Sequence, residues 1–297
     1  MIAGLPPPTH TIDPMSELIA VSGATGAIGG RVARRLAAEG IEQRLLGRNA
    51  ARAPQLPGAH FVAADYADPA SVREALAGVG TFLFVSASES RDRADQQRAV
   101  VGAAVDAGVR RIVYVSFVGA APECTFTFGR DHWWTEQEIR SSGLDFTFLR
   151  DNFYQDMLPL LVGEDGVIRG PAGDGRIGAV ARDDVADVAT AVLTGTGHDG
   201  HTYDVTGPRA ITLTEAAAMI TDVTGRTVTY HAESLDEAYA SRAGYGAEDW
   251  EVAGWVSSYQ AMATGELDVV TDTVPRLTGH PAKDFAELLA ETAPHAQ

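Results

Sequence analysis

Residues 21–30 read VSGATGAIGG and follow the apolar run LIA at 18–20. Gly23, Gly26 and Gly29 are spaced G-x-x-G-x-x-G, and the helical pattern GRVARRLAAEG (30–40) leaves the loop. The motif therefore sits at the strand-to-helix turn of a βαβ unit. In that setting the first glycine permits a tight turn and the second lets a pyrophosphate approach the backbone. The third lets the helix pack closely on the strand. The helix N-terminus then offers free N–H groups and the positive end of its dipole to the anion. This context predicts dinucleotide binding through Gly23, Thr25, Gly26, Ile28 and Gly29.

Outward from the loop, strands and helices alternate. QRLLGR (43–48), HFVAADY (60–66), TFLFVSA (81–87), RIVYVSF (111–117) and DFTFLR (145–150) read as further strands. Helical patterns cover 69–78, 91–108 and 130–142, with Gly78, Gly108 and Gly143 as stops. The β-α-β-α order predicts an α/β fold, a Rossmann-like doubly wound parallel sheet. After residue 150 the rhythm loosens. Strands are expected at 176–181, 201–208 and 227–234, and helices after 182, over 213–225 and in the remainder. The organisation expected is a flexible N-terminal arm over 1–16, an NAD(P)-binding Rossmann domain over 17–150, and a small C-terminal α/β substrate lobe over 151–297. Part of that lobe, about 176–208, should return to the Rossmann sheet.

Composition narrows the function. The 297 residues carry 23 basic and 40 acidic side chains, a formal charge of −17, and are 45% hydrophobic. These are globular proportions. The negative charge disfavours nucleic acid and anionic membrane surfaces. No apolar run approaches the ~20 residues of a membrane span. The segment MIAGLPPPTHTIDP lacks the basic start and apolar core of a signal peptide. With Cys124 as the single cysteine no intrachain disulfide can form, which fits a cytoplasmic protein.

The end of the second strand selects the cofactor. An acid there would accept from the ribose 2′-OH of NAD, but LLGRNAAR offers Arg48 and Arg52 instead. A guanidinium matches a 2′-phosphate, so NADP(H) is expected over NAD(H). Asp65 and Tyr66 end the third strand where an adenine edge would lie; Asp65 reads equally as the cap of the following turn. Ser86 and Ala87, then Ser116 and Phe117, complete the expected cofactor contacts at the ends of the fourth and fifth strands. No His/Cys/Asp spacing suggests a metal. Cys124 lacks an identifiable base, and Asp183 and Asp184 read as charges at a helix start.

TGxxGxxG at the first strand, a third strand ending ADY-x-DP, and FLRDNFY after the sixth resemble the atypical short-chain dehydrogenase/reductases. The run RDHWWTEQEIRSSGLDFTFLRDNFY (130–154) resembles their NmrA-like branch, of the NAD(P)H:quinone oxidoreductase type. The wider superfamily uses Tyr-x-x-x-Lys, the tyrosine giving a proton to the reduced carbonyl. Here the resemblance places Phe128 at the tyrosine and His132 at the lysine. Lys283 is the only lysine and residue 279 is glycine, so the motif exists nowhere in the chain.

Three readings follow from that loss. A quinone accepts hydride with little acid help, because its product is a delocalised hydroquinone anion. An aromatic polyketide ketone flanked by a phenol supplies its own proton, leaving the enzyme to position and desolvate. Alternatively, catalysis is lost and the protein senses dinucleotide, as an NmrA-like regulator does. The first two make the protein an NADPH-dependent reductase of planar conjugated carbonyl compounds, with a small aromatic carbonyl substrate as partner. By the resemblance Asn152 lies in the active site, as a donor to a developing oxyanion. His132 is a candidate proton relay or ribose contact, and equally a packed wall residue. Ser116 is the remaining catalytic candidate, and also reads as a turn cap. Phe117, Phe128, Trp133, Asn152 and Tyr154 are the expected acceptor contacts. Residues 155–165 read as a flap, and the aromatic stretch 239–259 as another wall or simply core.

Overall fold

A computed structural model describes residues 17–292; the arm expected over 1–16 lies outside them. The first part runs β1 (Ile19–Val21), α1 (Ala27–Ala38), β2 (Gln43–Gly47), β3 (Ala59–Ala63), α2 (Pro69–Leu76), β4 (Thr81–Val85), α3 (Arg93–Asp106), β5 (Arg111–Phe117), α4 (Thr127–Ser141) and β6 (Asp145–Asp151). The second runs β7 (Val167–Gly170), β8 (Arg176–Ile177), α5 (Arg182–Thr194), β9 (His201–Val205), β10 (Ile211–Thr212), α6 (Leu213–Thr224), β11 (Thr229–Ala232), α7 (Leu235–Arg242), α8 (Asp249–Ala263), α9 (Thr273–Thr278) and α10 (Phe285–Thr292).

Seven strands form one sheet in the order β3-β2-β1-β4-β5-β6-β9, every pair parallel. The chain steps from β1 out to β3, then returns to the other side of β1 at β4. The crevice between the carboxyl ends of β1 and β4 is therefore the topological switch point, where open α/β sheets hold ligands.

Strand periodicity sorts the core into two layers. Along β4, Leu83 joins Val32 and Leu36 of α1 and Val188 and Val192 of α5. Its neighbours Phe82 and Phe84 face the opposite layer, with Leu76 of α2, Val100 of α3 and Ile139 of α4. Ion pairs also join α5 to α1: Arg35 to Asp187 at 2.5 Å and Arg31 to Asp183 at 3.2 Å. Such partly exposed pairs contribute about 0–1 kcal/mol each, so the buried apolar faces dominate the packing.

The second part has its own core, including Ile168, Ile177, Ile211, Ile220, Met262 and Phe285. Two small sheets frame it, parallel β11–β7 and antiparallel β10–β8. Of the stretch 176–208, β9 joins the large sheet beside β6, whereas β8 pairs with β10. The strand expected over 176–181 shortens to β8 because the following N–H groups serve two different segments. Gly178 donates to Leu267 and Val180 to Phe153. The stretch expected as a flap begins with a 3-10 helix, Gln155–Leu161, and β7 follows it, a strand the sequence pattern did not announce.

Candidate active site

The glycine loop builds the first of three adjoining cavities, about 530 Å³ over the β1–β4 crevice. Gly23 has φ +59°, and a Cβ on Gly29 would stand 2.3 Å from the Ser22 carbonyl oxygen. The loop is thus a cradle of bare backbone. No side chain among the described residues caps the N-terminus of α1 and no acid occupies its first turn, which suits an anion there. A dinucleotide pyrophosphate fits this cradle. Ser22, which the motif does not single out, ties the switch point together. Its Oγ donates to the Leu83 carbonyl (3.0 Å) and accepts from the Val85 N–H (2.9 Å). The Tyr66 hydroxyl lies 2.7 Å from the same Oγ and 2.8 Å from the Val85 carbonyl oxygen. Tyr66 therefore offers the cavity its ring.

Thr25, Gly26, Ile28, Arg48 and Asp65 line the same cavity. Asp65 also caps its turn, accepting from the Ala67 N–H at 3.1 Å. Arg48 is exposed and lines the cavity. Arg52 does not line the cavity. Asn49 accepts from the Ala51 N–H and curls the chain into a short 3-10 turn, which leaves Arg52 exposed at its end.

Val85, Ser86 and Ala87 pass from this cavity into a second of about 420 Å³ at the carboxyl ends of β4, β5 and β6. Here Ser116, Phe117, His132, Asn152 and Tyr154 come together. Their polar atoms are largely committed to the protein. Ser116 is buried and donates to Glu136 Oε1 at 2.7 Å; Arg150 holds the same carboxylate at 2.6 and 2.8 Å. Asn152 Nδ2 donates to the Leu267 carbonyl (3.0 Å), and its Oδ1 accepts from the Phe153 N–H (2.8 Å).

His132 is equally occupied. Arg93, which can only donate, lies 3.0 Å from Nε2, so that nitrogen accepts. Nδ1 then carries the hydrogen and donates to the Tyr114 hydroxyl at 3.0 Å, which donates onward to Gln97 Oε1 at 2.9 Å. Burial, with Arg93 and Arg150 nearby, holds the imidazole pKa well below its ordinary value. His132 is a neutral wall residue here, with no free nitrogen for a relay.

A titratable group that the sequence reading missed is Asp151. It ends β6, is 3% exposed and lines this cavity. Burial pushes its carboxyl up to about 8. The Tyr154 hydroxyl donates to its Oδ2 at 2.5 Å, and the Arg182 guanidinium lies 4.8 Å over the Tyr154 ring. The available signal was an acid terminating an otherwise buried strand, immediately before Asn152.

Phe126, Phe128, Phe153 and Met157 lead from the second cavity into a third, about 650 Å³. Its far wall includes Tyr245, Trp255 and Tyr259, from the aromatic stretch that the sequence left between wall and core. Leu160 and Tyr245 are about 70% exposed at the cleft (72% and 70%). Gly254 of α8 makes room for Phe128: a Cβ there would stand 2.1 Å from the ring. Trp133 is not brought to any of these cavities. It lies about 100° around α4 from His132 and packs edge-to-face on Trp134, centroids 4.5 Å apart.

Two other features stay outside the site. Burial pushes the Cys124 thiol up, and its Sγ donates to the Phe126 carbonyl. The fold also gathers Asp184, Asp187 and His280, distant in sequence. Both carboxylates are already engaged, Asp187 by Arg35 and Asp184 by the Lys283 N–H at 2.7 Å.

Residues 23–196 match the family described as NAD(P)H-binding. The chain is 34% identical to the NAD(P)H azoreductase of Xenophilus azovorans, over 91% of this chain and 96% of that one. It is 36% identical to the (4-alkanoyl-5-oxo-2,5-dihydrofuran-3-yl)methyl phosphate reductase of Streptomyces griseus, over 93% and 98%. Among solved structures, the NADPH-dependent quinone oxidoreductase of Escherichia coli, complexed with NADPH, superposes with TM-score 0.84. That match has 34% identity and covers 92% of this chain and 99% of the other. The chain belongs to the NAD(P)H-binding family, in the branch of NAD(P)H-dependent oxidoreductases that includes this quinone reductase.

Proposed function

We propose that the protein is an NADPH-preferring reductase that delivers hydride to planar conjugated carbonyl compounds, quinones or aromatic polyketide ketones, without a Tyr-x-x-x-Lys acid. The observation that carries this reading is that the three cavities adjoin, each sharing wall residues with the next. Ser86 and Ala87 line both the phosphate cradle and the cavity at the strand ends, and Phe128 and Phe153 line both that cavity and the aromatic cleft.

When bound, NADP(H) supplies the hydride. Gly23 and Gly26 would hold its pyrophosphate and Arg48 its 2′-phosphate, while Gly29, expected as a cofactor contact, does not line the cavity and instead lets α1 pack against the Ser22 and Gly23 backbone. The Ser22–Tyr66 tie keeps the β1 and β4 ends in register beneath it. Phe117, Phe126, Phe128 and Phe153 line the space beside the strand ends. Their rings suit a flat aromatic acceptor and exclude water from it. Asn152 is held rigidly by Leu267 and the Phe153 N–H, so its amide is oriented before any acceptor arrives.

The test is NADPH consumption by the purified protein with a simple quinone and with a hydroxylated aromatic polyketide ketone. Loss with the quinone alone assigns a quinone reductase, and loss with the ketone alone a ketoreductase. Tight NADPH binding with no turnover against either would overturn the reading and leave a dinucleotide sensor.

A further inference from the structure

We propose that Asp151, held by Tyr154, is the proton donor to the reduced acceptor; the proposal rests on the reductase reading above. The lost Tyr-x-x-x-Lys pair leaves the site without the superfamily's acid, while the oxygen of the reduced acceptor still takes up a proton. Glu89 also lines the central cavity but is exposed; of the buried polar groups there, Ser116 spends its hydrogen on Glu136 and neutral His132 spends its own on Tyr114. The Asn152 amide is not an acid. Asp151 differs from all three. It is nine-tenths buried, and Tyr154 is the only side chain among the described residues that hydrogen-bonds to it. That bond takes Oδ2, so the other oxygen has no side-chain partner.

Burial keeps the carboxyl protonated at neutral pH. The charged and titratable groups around it or lining the same cavity are Tyr154, Arg182 of α5, Arg93 of α3, His132 of α4 and the exposed Glu89. In the step, the acceptor carbon gains the hydride with its electron pair, and negative charge builds on the acceptor oxygen. The Asp151 Oδ1–H bond breaks and its proton forms the product O–H bond. The electron pair stays on the carboxylate, where the Tyr154 hydroxyl and the Arg182 and Arg93 charges stabilise it. A solvent proton restores the acid after product leaves.

Asp151→Asn keeps the shape and an oxygen for Tyr154 but has no proton to give. Its kcat with the preferred acceptor should fall about 100-fold, the lower range for loss of a general acid, with NADPH affinity unchanged. Wild-type kcat should fall as pH rises through about 8, and that limb should be absent in Asp151→Asn. Tyr154→Phe should move the limb to higher pH, because the tyrosine hydrogen bond lowers the carboxyl pKa. A readout without cofactor comes from linkage. Between the ordinary value of 3.8 and about 8, folded wild type holds a proton that the unfolded chain has shed. Raising pH across that window therefore destabilises wild type relative to Asp151→Asn, as urea midpoints would read.

A variant with wild-type kcat and an intact alkaline limb would overturn the proposal, and so would parallel stability curves. If Asp151→Asn does not fold, an unmoved limb in Tyr154→Phe overturns it equally. Wild type without turnover on every acceptor would remove the reductase reading itself. Wild-type turnover beside an undisturbed Asp151→Asn would remove this proposal alone.

Discussion

The cradle over residues 22–29 makes its cavity from backbone, whereas the cleft around Phe128 makes its cavity from side chains as distant in sequence as Phe126 and Tyr259. The first must present N–H groups to an anion at fixed spacing, so it depends on positions where any side chain intrudes. The second must present apolar faces to a flat molecule, and many aromatic arrangements do that. The cradle should therefore be intolerant of a single methyl group and the cleft more forgiving. Substitutions in each half test that contrast.

The largest effect belongs to Gly29→Ala. Its Cβ would meet backbone, Ser22 O at 2.3 Å and Gly23 O at 2.6 Å, and neither atom can swing aside. Overpacking of this kind costs about 1–3 kcal/mol. The expected result is lower stability in urea unfolding together with loss of measurable NADPH binding in a fluorescence titration. Wild-type affinity in this variant would break the contrast, because it would mean that the cradle relaxes as a side-chain cleft does.

Arg48→Ala touches the rim of the cradle and not its backbone. Loss of a charge-assisted hydrogen bond is worth about 1.5–3 kcal/mol, so NADPH should bind roughly 10- to 150-fold more weakly. NADH, which lacks the 2′-phosphate, should bind as before. Equal losses for both nucleotides would remove Arg48 from the 2′-phosphate assignment. Arg52 is the internal control, since it does not line the cavity and its replacement should change neither.

The same contrast explains what was legible in the sequence. Gly23, Gly26 and Gly29 declare themselves within seven residues, and the strands from β1 to β6 follow from local apolar runs. The pairing of β8 with β10 does not, because it depends on a partner beyond a whole helix and strand. Ser116, His132 and Asn152 were recognisable as chemistry-bearing residues at strand ends or on a helix. Their commitments to Glu136, Tyr114 and Leu267 were not, since each partner is fixed by the tertiary fold. Asp151 was passed over for the same reason. Its place at the end of β6 and Tyr154 three residues on are visible in the order of residues, but the burial that raises its pKa comes from the tertiary fold.

Gly254→Ala carries the methyl-group test into the cleft. The added Cβ would stand 2.1 Å from the Phe128 ring, closer than Gly29→Ala brings it to backbone. The clash nevertheless falls on the far end of a side chain that can turn into open cavity. The fold should absorb it, and the cost should appear where Phe128 moves, as lost room for the acceptor. We expect the acceptor KM to rise about tenfold, the lower end of what one methyl group changes in an apolar pocket, with NADPH affinity unchanged. Removing the ring by Phe128→Ala in the same chain should restore the acceptor KM relative to Gly254→Ala alone, a coupling that a double-mutant cycle measures. Additive effects would show that the two positions do not meet during binding. A loss of NADPH affinity in Gly254→Ala would show that cleft and cradle are one mechanical unit, and the division drawn between them would fail.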